Sequence, residues 1–222
     1  GIFLGAARSY YSWTQTSSGM QQNITNYTTS HFVDQSVNWI QQQTTPFFLW
    51  LAFNAPHTPF HRPPLDLISD QSLVDNQSTI DANSMPYYLA SIEAMDKEIG
   101  RLIASLSPEQ RENTVFVFLG DNGTPPQVAQ TPYAENGTKS TLFQGGINTP
   151  LIFCGKNITR ANVVETTLAK APDMFVTIAD LAGTGNSDYQ DGVSLRPLFT
   201  DANSSKRNYY QSKSYRRKYW YF

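Results

Sequence analysis

The sequence contains few cysteine and histidine side chains, which are common metal ligands, and too few cysteines to form a disulfide within the chain. Its 222 residues include one cysteine, Cys154, and three histidines. A single cysteine excludes an internal disulfide framework. Because Cys154 lies inside an apolar run, we expect its thiol to be buried and inert.

Charge is also scarce, because Asp, Glu, Lys and Arg make up 15% of the chain and the formal net charge is −2. About a quarter of the residues are charged in a typical globular domain. With no excess of either sign, the chain has no global field that would attract nucleic acid or membrane surfaces. No apolar run approaches the ~20 residues needed to cross a bilayer, so we expect no membrane span.

The most informative segment is an apolar run at residues 116–119 that ends in Gly120-Asp121-Asn122-Gly123. Such a run predicts a strand that is buried on both faces. Ligands of α/β proteins bind beyond the carboxyl ends of these strands, where Asp121 and Asn122 would offer oxygen donors. Gly123 would let the backbone come close to a bound ion. The same residues also suit an ordinary strand-to-loop turn.

Two other polar loops lie next to predicted strands. An apolar run at residues 46–53 leads into a loop in which His57 stands between two prolines. Lys139 lies in a glycine-flanked loop that precedes a further apolar run at 149–154. A histidine, an acid–amide pair and a lysine near strand ends suit the binding of a cation together with an oxyanion.

Segments with helical and strand patterns alternate along the chain. They are the helices 31–43, 85–106 and 171–182 and the strands 46–53, 114–120 and 149–154. This alternation predicts an α/β fold with a largely parallel sheet flanked by helices. Asp96 falls within the apolar stripe of the long helix, so we expect it to be buried in a structural, hydrogen-bonded role.

Four motifs occur in the order and spacing of one known family. They are Ala55-Pro56-His57-Thr58-Pro59, Gly120-Asp121-Asn122-Gly123, the stretch 139–146 and the stretch 173–183. Together they resemble the C-terminal half of the catalytic domain of a sulfatase, a member of the alkaline-phosphatase superfamily. The resemblance covers residues 27–198 and implies an alkaline-phosphatase-like fold and metal-dependent hydrolysis of a sulfate ester by the intact enzyme.

The resemblance also implies roles for four residues. Asp121 and Asn122 are expected to bind the metal, Ca²⁺ ahead of Mg²⁺, and their oxygens suit a hard cation. His57 and Lys139 are expected to be both catalytic and substrate-binding. Lys139 would hold a sulfate oxygen and the leaving oxygen as a point charge, and His57 would either donate a proton to the leaving alkoxide or hydrogen-bond the sulfate. The alternatives are a packed loop histidine and a solvated lysine. The expected partner is a sulfate ester substrate, with sulfated carbohydrates among the candidates.

Two motifs of the family are missing from the sequence. The nucleophile motif, a Cys or Ser followed by x-Pro-x-Arg, does not occur, and the early Asp-Asp metal pair is absent too. We therefore expect a fragment that is inactive alone, with the formylglycine nucleophile in a missing N-terminal segment of the same enzyme. We expect residues 1–185 to belong to the catalytic domain and residues 186–222 to begin a small antiparallel subdomain. The expected location is periplasmic or extracellular.

The sequence is also compatible with two other functions. A phosphodiesterase or phosphatase of the same superfamily would bind two zinc ions and carry Asp-His-Gly where this chain has Asp121-Asn122-Gly123. The few histidines argue against such a zinc centre. A non-catalytic remnant would bind anionic glycans without cleaving them. The basic and aromatic residues near the C-terminus resemble the first strands of the family's small C-terminal sheet, so we expect no nucleic acid partner.

Overall fold

The structure, a computed structural model, describes residues 9–133, 137–185, 191–202, 204, 212–214 and 217–221. The chain forms two compact units, Gly1–Pro108 and Glu109–Phe222. The elements up to the boundary are β1 (Trp13–Ser17), β2 (Met20–Ile24), α1 (Thr28–Ile40), α2 (Gln77–Ala82) and α3 (Met85–Ala104). The elements from the boundary onward are α4 (Pro108–Glu112), β3 (Val115–Leu119), α5 (Gln144–Ile147), β4 (Leu151–Gly155), α6 (Pro172–Leu181), β5 (Ser212–Ser214) and β6 (Arg217–Tyr221).

The core of the first unit is built on α3, which confirms the long helix predicted over 85–106. One face of α3 is buried, and its members recur every three or four residues: Tyr87, Ala90, Ser91, Ala94, Met95 and Glu98. Tyr10 and Tyr27 pack in the same core cluster as the alanines of this face. The small side chains of Ala90 and Ala94 allow these aromatic rings to come close to the helix.

The predicted burial of Asp96 is wrong, because Asp96 is exposed. The buried acid of α3 is Glu98, with 3% of its surface exposed. Each residue turns a helix by about 100°, so Asp96 lies about 200° from Glu98 around the axis. Glu98 accepts a hydrogen bond from Ser30 Oγ of α1 at 2.8 Å and forms an ion pair with Arg101 at 2.6 Å.

Residues 46–53 do not form the predicted buried strand. The segment has no strand assignment, and Phe48 and Trp50 are 62% and 81% exposed. Within the described part of the chain no strand pairs with this segment. An apolar segment without a paired neighbour has no ladder hydrogen bonds, and this explains the difference, although Leu51 and Phe53 pack against the core clusters of this unit.

In the second unit, β3 pairs with β4 in antiparallel register, from Val115 opposite Gly155 to Leu119 opposite Leu151. The other pairs in the described residues, β1–β2 and β5–β6, are antiparallel as well. A largely parallel sheet is therefore not shown. The chain between β3 and β4 returns through loops and the four-residue α5, without the long helix that usually connects parallel neighbours.

The sheet formed by β3 and β4 is apolar on both faces but only partly covered. Phe118 and Ile152, which face each other across the two strands, are 37% and 55% exposed. Cys154 is a free, exposed cysteine on the same strand face as Ile152. The expectation of a buried thiol is therefore wrong, because a position inside an apolar strand buries a side chain only where another layer covers that face.

Helix α6 confirms the helix predicted over 171–182, and Gly183 follows it with a positive φ of 76°. Asp173 in its first turn is fully buried and accepts hydrogen bonds from the amides of Lys170 and Val193. This carboxylate joins the helix start to the segment that begins at residue 191. The predicted domain boundary at residue 185 stays a prediction. Among the described residues, none of the helices has the length and apolarity to cross a membrane.

Candidate functional site

The acid–amide pair lies where the sequence predicted it, just beyond the carboxyl end of β3. Gly120 continues the strand pairing, because its amide donates to the carbonyl of Pro150 at 2.9 Å. Asp121 and Asn122 follow and are both exposed. The side-chain amide of Asn122 donates to Asp121 Oδ2, so the two side chains lie together.

A close backbone contact fixes this loop against the glycine pair of α5. The amide of Gly123 donates to the carbonyl of Gly146 at 3.0 Å. A Cβ atom at Gly123 would overlap the carbonyl oxygen of Gly145 and lie 2.7 Å from the Cα of Gly146. Since real side chains essentially never approach so closely, only glycine fits at position 123 without a shift of the backbone.

Lys139 is held next to the same loop. Its amide donates to the carbonyl of Thr124 at 2.9 Å, two residues beyond Asn122. Thr138, just before it, is 1% exposed, and Thr141 Oγ1 donates to the carbonyl of Thr138 at 2.7 Å. The structure thus brings the loops of Asp121, Asn122 and Lys139 together in the second unit, although they are separated by about twenty residues of sequence.

His57 lies in the first unit, in an exposed loop whose flanking peptide bonds to Pro56 and Pro59 are both cis. Its amide donates to the carbonyl of Asn54 at 2.9 Å. Its ring nitrogen Nδ1 is 2.8 Å from the carbonyl oxygen of Thr58. A carbonyl oxygen only accepts, so Nδ1 carries the hydrogen and Nε2 is the nitrogen left for other partners.

His61 takes part in packing and not in an open site. It is 9% exposed, and its ring stacks on Tyr10 with centroids 3.8 Å apart. Its Nε2 lies 3.1 Å from the Tyr27 hydroxyl. Burial lowers the pKa of His61 to about 4, which keeps the ring neutral near pH 7.

One residue of this region has no sequence motif. The Tyr10 hydroxyl is 2.8 Å from the carbonyl oxygens of both Asn54 and His57. Tyr10 lies outside the stretch that carries the family motifs, and a tyrosine near the start of a chain gives no signal of a contact 44 to 47 residues away. Its role therefore appears only in the structure.

The donor set suits a hard cation but is small. Asp121 and Asn122 offer a carboxylate and an amide oxygen, the ligands that Ca²⁺ and Mg²⁺ prefer. Within the described ranges no group of three His, Cys, Asp or Glu side chains is placed to hold a metal ion. Since Ca²⁺ takes about six to eight oxygen ligands, this pair would supply a minority of them.

Comparison with known proteins decides the family. The family profile described as Sulfatase matches residues 3–184. The chain belongs to the sulfatase family. This sulfatase chain is 30% identical over 185 residues to the uncharacterized sulfatase YdeN of Escherichia coli, an alignment that covers 79% of this chain and 31% of that protein. It is 26% identical over 237 residues to an arylsulfatase of Klebsiella aerogenes, covering 71% of this chain and 51% of that protein.

A solved structure is similar to this chain in three dimensions. The crystal structure of Ps i-CgsB in complex with k-i-k-neocarrahexaose has a TM-score of 0.67 and 27% identity, covering 82% of this chain and 40% of that chain. The predicted family is thereby confirmed, and the likeness is consistent with the alkaline-phosphatase-like superfamily. The sulfatase chain described here spans 31% to 51% of the length of these proteins.

Proposed function

We propose that the intact enzyme hydrolyses a sulfate ester and that this chain supplies the groups that bind the sulfate and a cation. One observation carries the proposal. In a chain of the sulfatase family, the amide of Lys139 is bonded to the carbonyl of Thr124, so the lysine loop lies against the loop of Asp121 and Asn122. A bound metal ion and the ammonium group of a lysine are the two positive charges that would neutralise the oxygens of a sulfate ester.

The charges of the reaction explain the roles that we propose. A sulfate ester carries negative charge on its non-bridging oxygens, and more charge develops on the leaving oxygen as the bond breaks. Asp121 and Asn122 would hold Ca²⁺, which when bound supplies Lewis-acid charge for the sulfate oxygens. Lys139 would place its ammonium against a sulfate oxygen, where a preorganised charge stabilises the transition state.

His57 would act through Nε2. Because Nδ1–H is donated to Thr58, a proton on Nε2 makes the ring an imidazolium. That proton would go to the leaving alkoxide, and the ring would return to the neutral Nδ1–H form. The Thr58 carbonyl would therefore leave Nε2 as the nitrogen that faces the ester.

The substrate class that we propose is a sulfated carbohydrate. The similar solved structure holds k-i-k-neocarrahexaose, which is an oligosaccharide. The formylglycine nucleophile would come from an N-terminal segment of the same enzyme, since the 222 residues contain no Cys or Ser in an x-Pro-x-Arg context. A periplasmic or extracellular location belongs to the same proposal.

The test compares two lysine variants of the intact enzyme. Lys139→Ala should lower kcat by on the order of 10²–10³ with little change in melting temperature, because it removes charge from a polar loop without opening a core cavity. Lys156→Ala is the matched control, since Lys156 is an exposed lysine of the same unit that binds Asn113 Oδ1 at 2.9 Å. It should leave kcat unchanged.

Sulfate release from sulfated oligosaccharides gives the rates. A near-normal kcat for Lys139→Ala would remove Lys139 from the site. The 222-residue chain alone should release no sulfate, and turnover by the purified chain would show that the nucleophile is not supplied from outside it.

A further inference from the structure

The loop that carries His57 is tied to a distant tyrosine. The Tyr10 hydroxyl lies 2.8 Å from the carbonyl oxygen of Asn54 and 2.8 Å from that of His57. These two carbonyls mark the ends of the turn that the His57 amide closes on Asn54. One hydroxyl thus bridges both ends of the turn on which His57 stands.

The hydroxyl can only act as a donor here, because a carbonyl oxygen has no hydrogen to give. Burial, with a contribution from the nearby Tyr27, raises the pKa of Tyr10 well above its ordinary value. The phenol therefore keeps its proton across the pH range in which an enzyme works. Both carbonyls share this proton, and each would lose a partner if the oxygen were removed.

The position of the hydroxyl is itself fixed by packing. Tyr10 is 2% exposed, its ring stacks on the His61 ring at 3.8 Å with an interplanar angle of 23°, and its carbonyl accepts from the Thr28 amide at 3.0 Å. The ring is thereby held from one face and its backbone from the start of α1. A donor held in this way constrains the loop, because the loop cannot move without losing the two hydrogen bonds.

We infer that Tyr10 is a positioning residue for His57. By fixing the carbonyls of Asn54 and His57, it fixes the backbone that places Thr58 O at 2.8 Å from Nδ1 of His57. This contact selects the Nδ1–H form of the ring and turns Nε2 outward. The inference deepens the proposed function, since it states how the chain prepares the nitrogen that would protonate the leaving group.

The experiment reads the ring nitrogens directly in the 222-residue chain. The chain has three histidines, so ¹⁵N-labelled histidine gives a small set of long-range ¹H–¹⁵N signals, and His57→Gln assigns those of His57. At a pH where the ring is neutral, the unmodified chain should show His57 with its hydrogen on Nδ1. Tyr10→Phe removes only the phenol oxygen and should move His57 toward the Nε2–H form or a mixture of both.

Tyr87→Phe is the matched control. Tyr87 is 3% exposed, and its hydroxyl donates to the carbonyl of Val74 at 3.0 Å, so this variant also loses a tyrosine-to-backbone bond in the same unit. It should lower the melting temperature about as much as Tyr10→Phe while leaving the His57 signals unchanged. An equal change of the His57 signals in both variants would mean general loosening and would overturn the inference.

Two further results would also overturn it. One is a His57 ring with its hydrogen on Nε2 in the unmodified chain, a measurement that does not depend on whether any variant folds. The other is an unchanged Nδ1–H ring in Tyr10→Phe. In the intact enzyme, Tyr10→Phe should lower kcat about tenfold with little change in KM, because the donor is misplaced and not lost. If the ring signals respond but the intact enzyme does not hydrolyse sulfate esters, the proposed function fails and the positioning role of Tyr10 stands.

Discussion

At the scale of single residues, the histidines divide according to burial. His57 stands in an exposed loop, whereas His61 is enclosed by Tyr10, Tyr27 and Ser91. The buried ring of His61 is not exposed for contact with a substrate. It stacks on Tyr10, whose hydroxyl binds the loop that carries His57. The folded state favours the neutral form of this ring, because a charged imidazolium at the same buried position would lack solvation.

We predict that protonation of His61 destabilises the first unit in acid. Its pKa is about 4 in the folded chain against an ordinary value of 6.5, so the unfolded state binds more protons between these values. Stability is then complete above pH 6.5 and falls as the pH drops toward 4, by about 3 kcal/mol in total. Thermal unfolding measured from pH 7 to 4.5 should show this loss.

His61→Gln should be less stable at pH 7 but should lose most of the slope in this window, and the remainder comes from His31, whose pKa burial also lowers. Hydrogen bonds from Thr167 and Arg160 hold the pKa of Glu165 at about 2, so its stabilising contribution falls away only as the pH drops through the region below 4.5. If the stability of His61→Gln fell between pH 6.5 and 4.5 as steeply as that of the unmodified chain, the effect would belong to other groups.

Asp121 and Lys139 should respond differently to calcium. In the intact enzyme, Asp121→Ala would remove a proposed metal ligand, so excess Ca²⁺ should partly restore kcat, whereas Lys139→Ala should not respond to Ca²⁺. Titrating Ca²⁺ against kcat for both variants measures this. The 222-residue chain should bind Ca²⁺ weakly in calorimetry and its Asp121→Ala variant not at all. Sub-micromolar binding by the chain would contradict a site with two protein ligands.

The sequence was sufficient to predict that Asp121 and Asn122 follow a strand and that Lys139 lies in a loop, because a strand end and a glycine-rich loop are local features with a fixed order along the chain; the roles of these residues stay predictions. It was not sufficient to find Tyr10, whose contact with His57 depends on packing across 47 residues. It also failed to choose between Asp96 and Glu98. Spacing on a helix defines faces, but which face is buried depends on the partners that pack there.

At the scale of elements, α3 shows how a charged residue becomes part of a core. Glu98 accepts from Ser30 of α1, and Arg101 links Glu98 to Asp34 of α1 with distances of 2.6 and 2.8 Å. The buried carboxylate thus joins the two helices. A hydrogen bond to a charged group contributes more than a neutral one, and removal of Glu98 would leave the Ser30 hydroxyl without its acceptor and Arg101 with Asp34 as its remaining acid.

The two acids of α3 provide a matched pair of variants. Glu98→Ala should lower the free energy of unfolding by about 2–3 kcal/mol, since it leaves Ser30 and Arg101 without their buried acceptor. Asp96→Ala, two residues away and exposed, should change it by no more than about 0.5 kcal/mol. Urea unfolding of both variants measures the difference. Equal losses would show that Glu98 is not the bridge between α1 and α3.

Elements with their own periodicity were predictable, and their pairing was not. The helices α3 and α6 and the strands β3 and β4 lie close to their predicted positions. The antiparallel register of β3 and β4 depends on how the chain returns between them, which apolar spacing does not encode. Residues 46–53 have the composition of a strand but lack a paired neighbour among the described residues.

At the scale of the whole molecule, apolar surface remains open on the sheet of the second unit. Phe118, Ile152 and the thiol of Cys154 share one partly exposed face of β3 and β4. The chain spans 31% to 51% of the length of its sulfatase relatives. In an intact enzyme of that length, we expect the additional sequence to cover such surface.

Cys154 reports on this face. In the 222-residue chain, its thiol should react completely with Ellman's reagent without denaturant, giving about one thiol per chain because the sequence has a single cysteine. Cys154→Ser should give no reaction. A thiol that reacts only after denaturation would mean that the face is covered in this chain. Protection of the same thiol in the intact enzyme would show that the remaining sequence packs there.

The contact between Gly123 and the pair Gly145–Gly146 has a consequence for engineering. Since the acid–amide loop and the lysine loop touch through bare backbone, neither can be exchanged for a homologous loop of different shape without displacing the other. Grafts that aim to change substrate preference should therefore transfer residues 120–124 and 138–147 as one cassette.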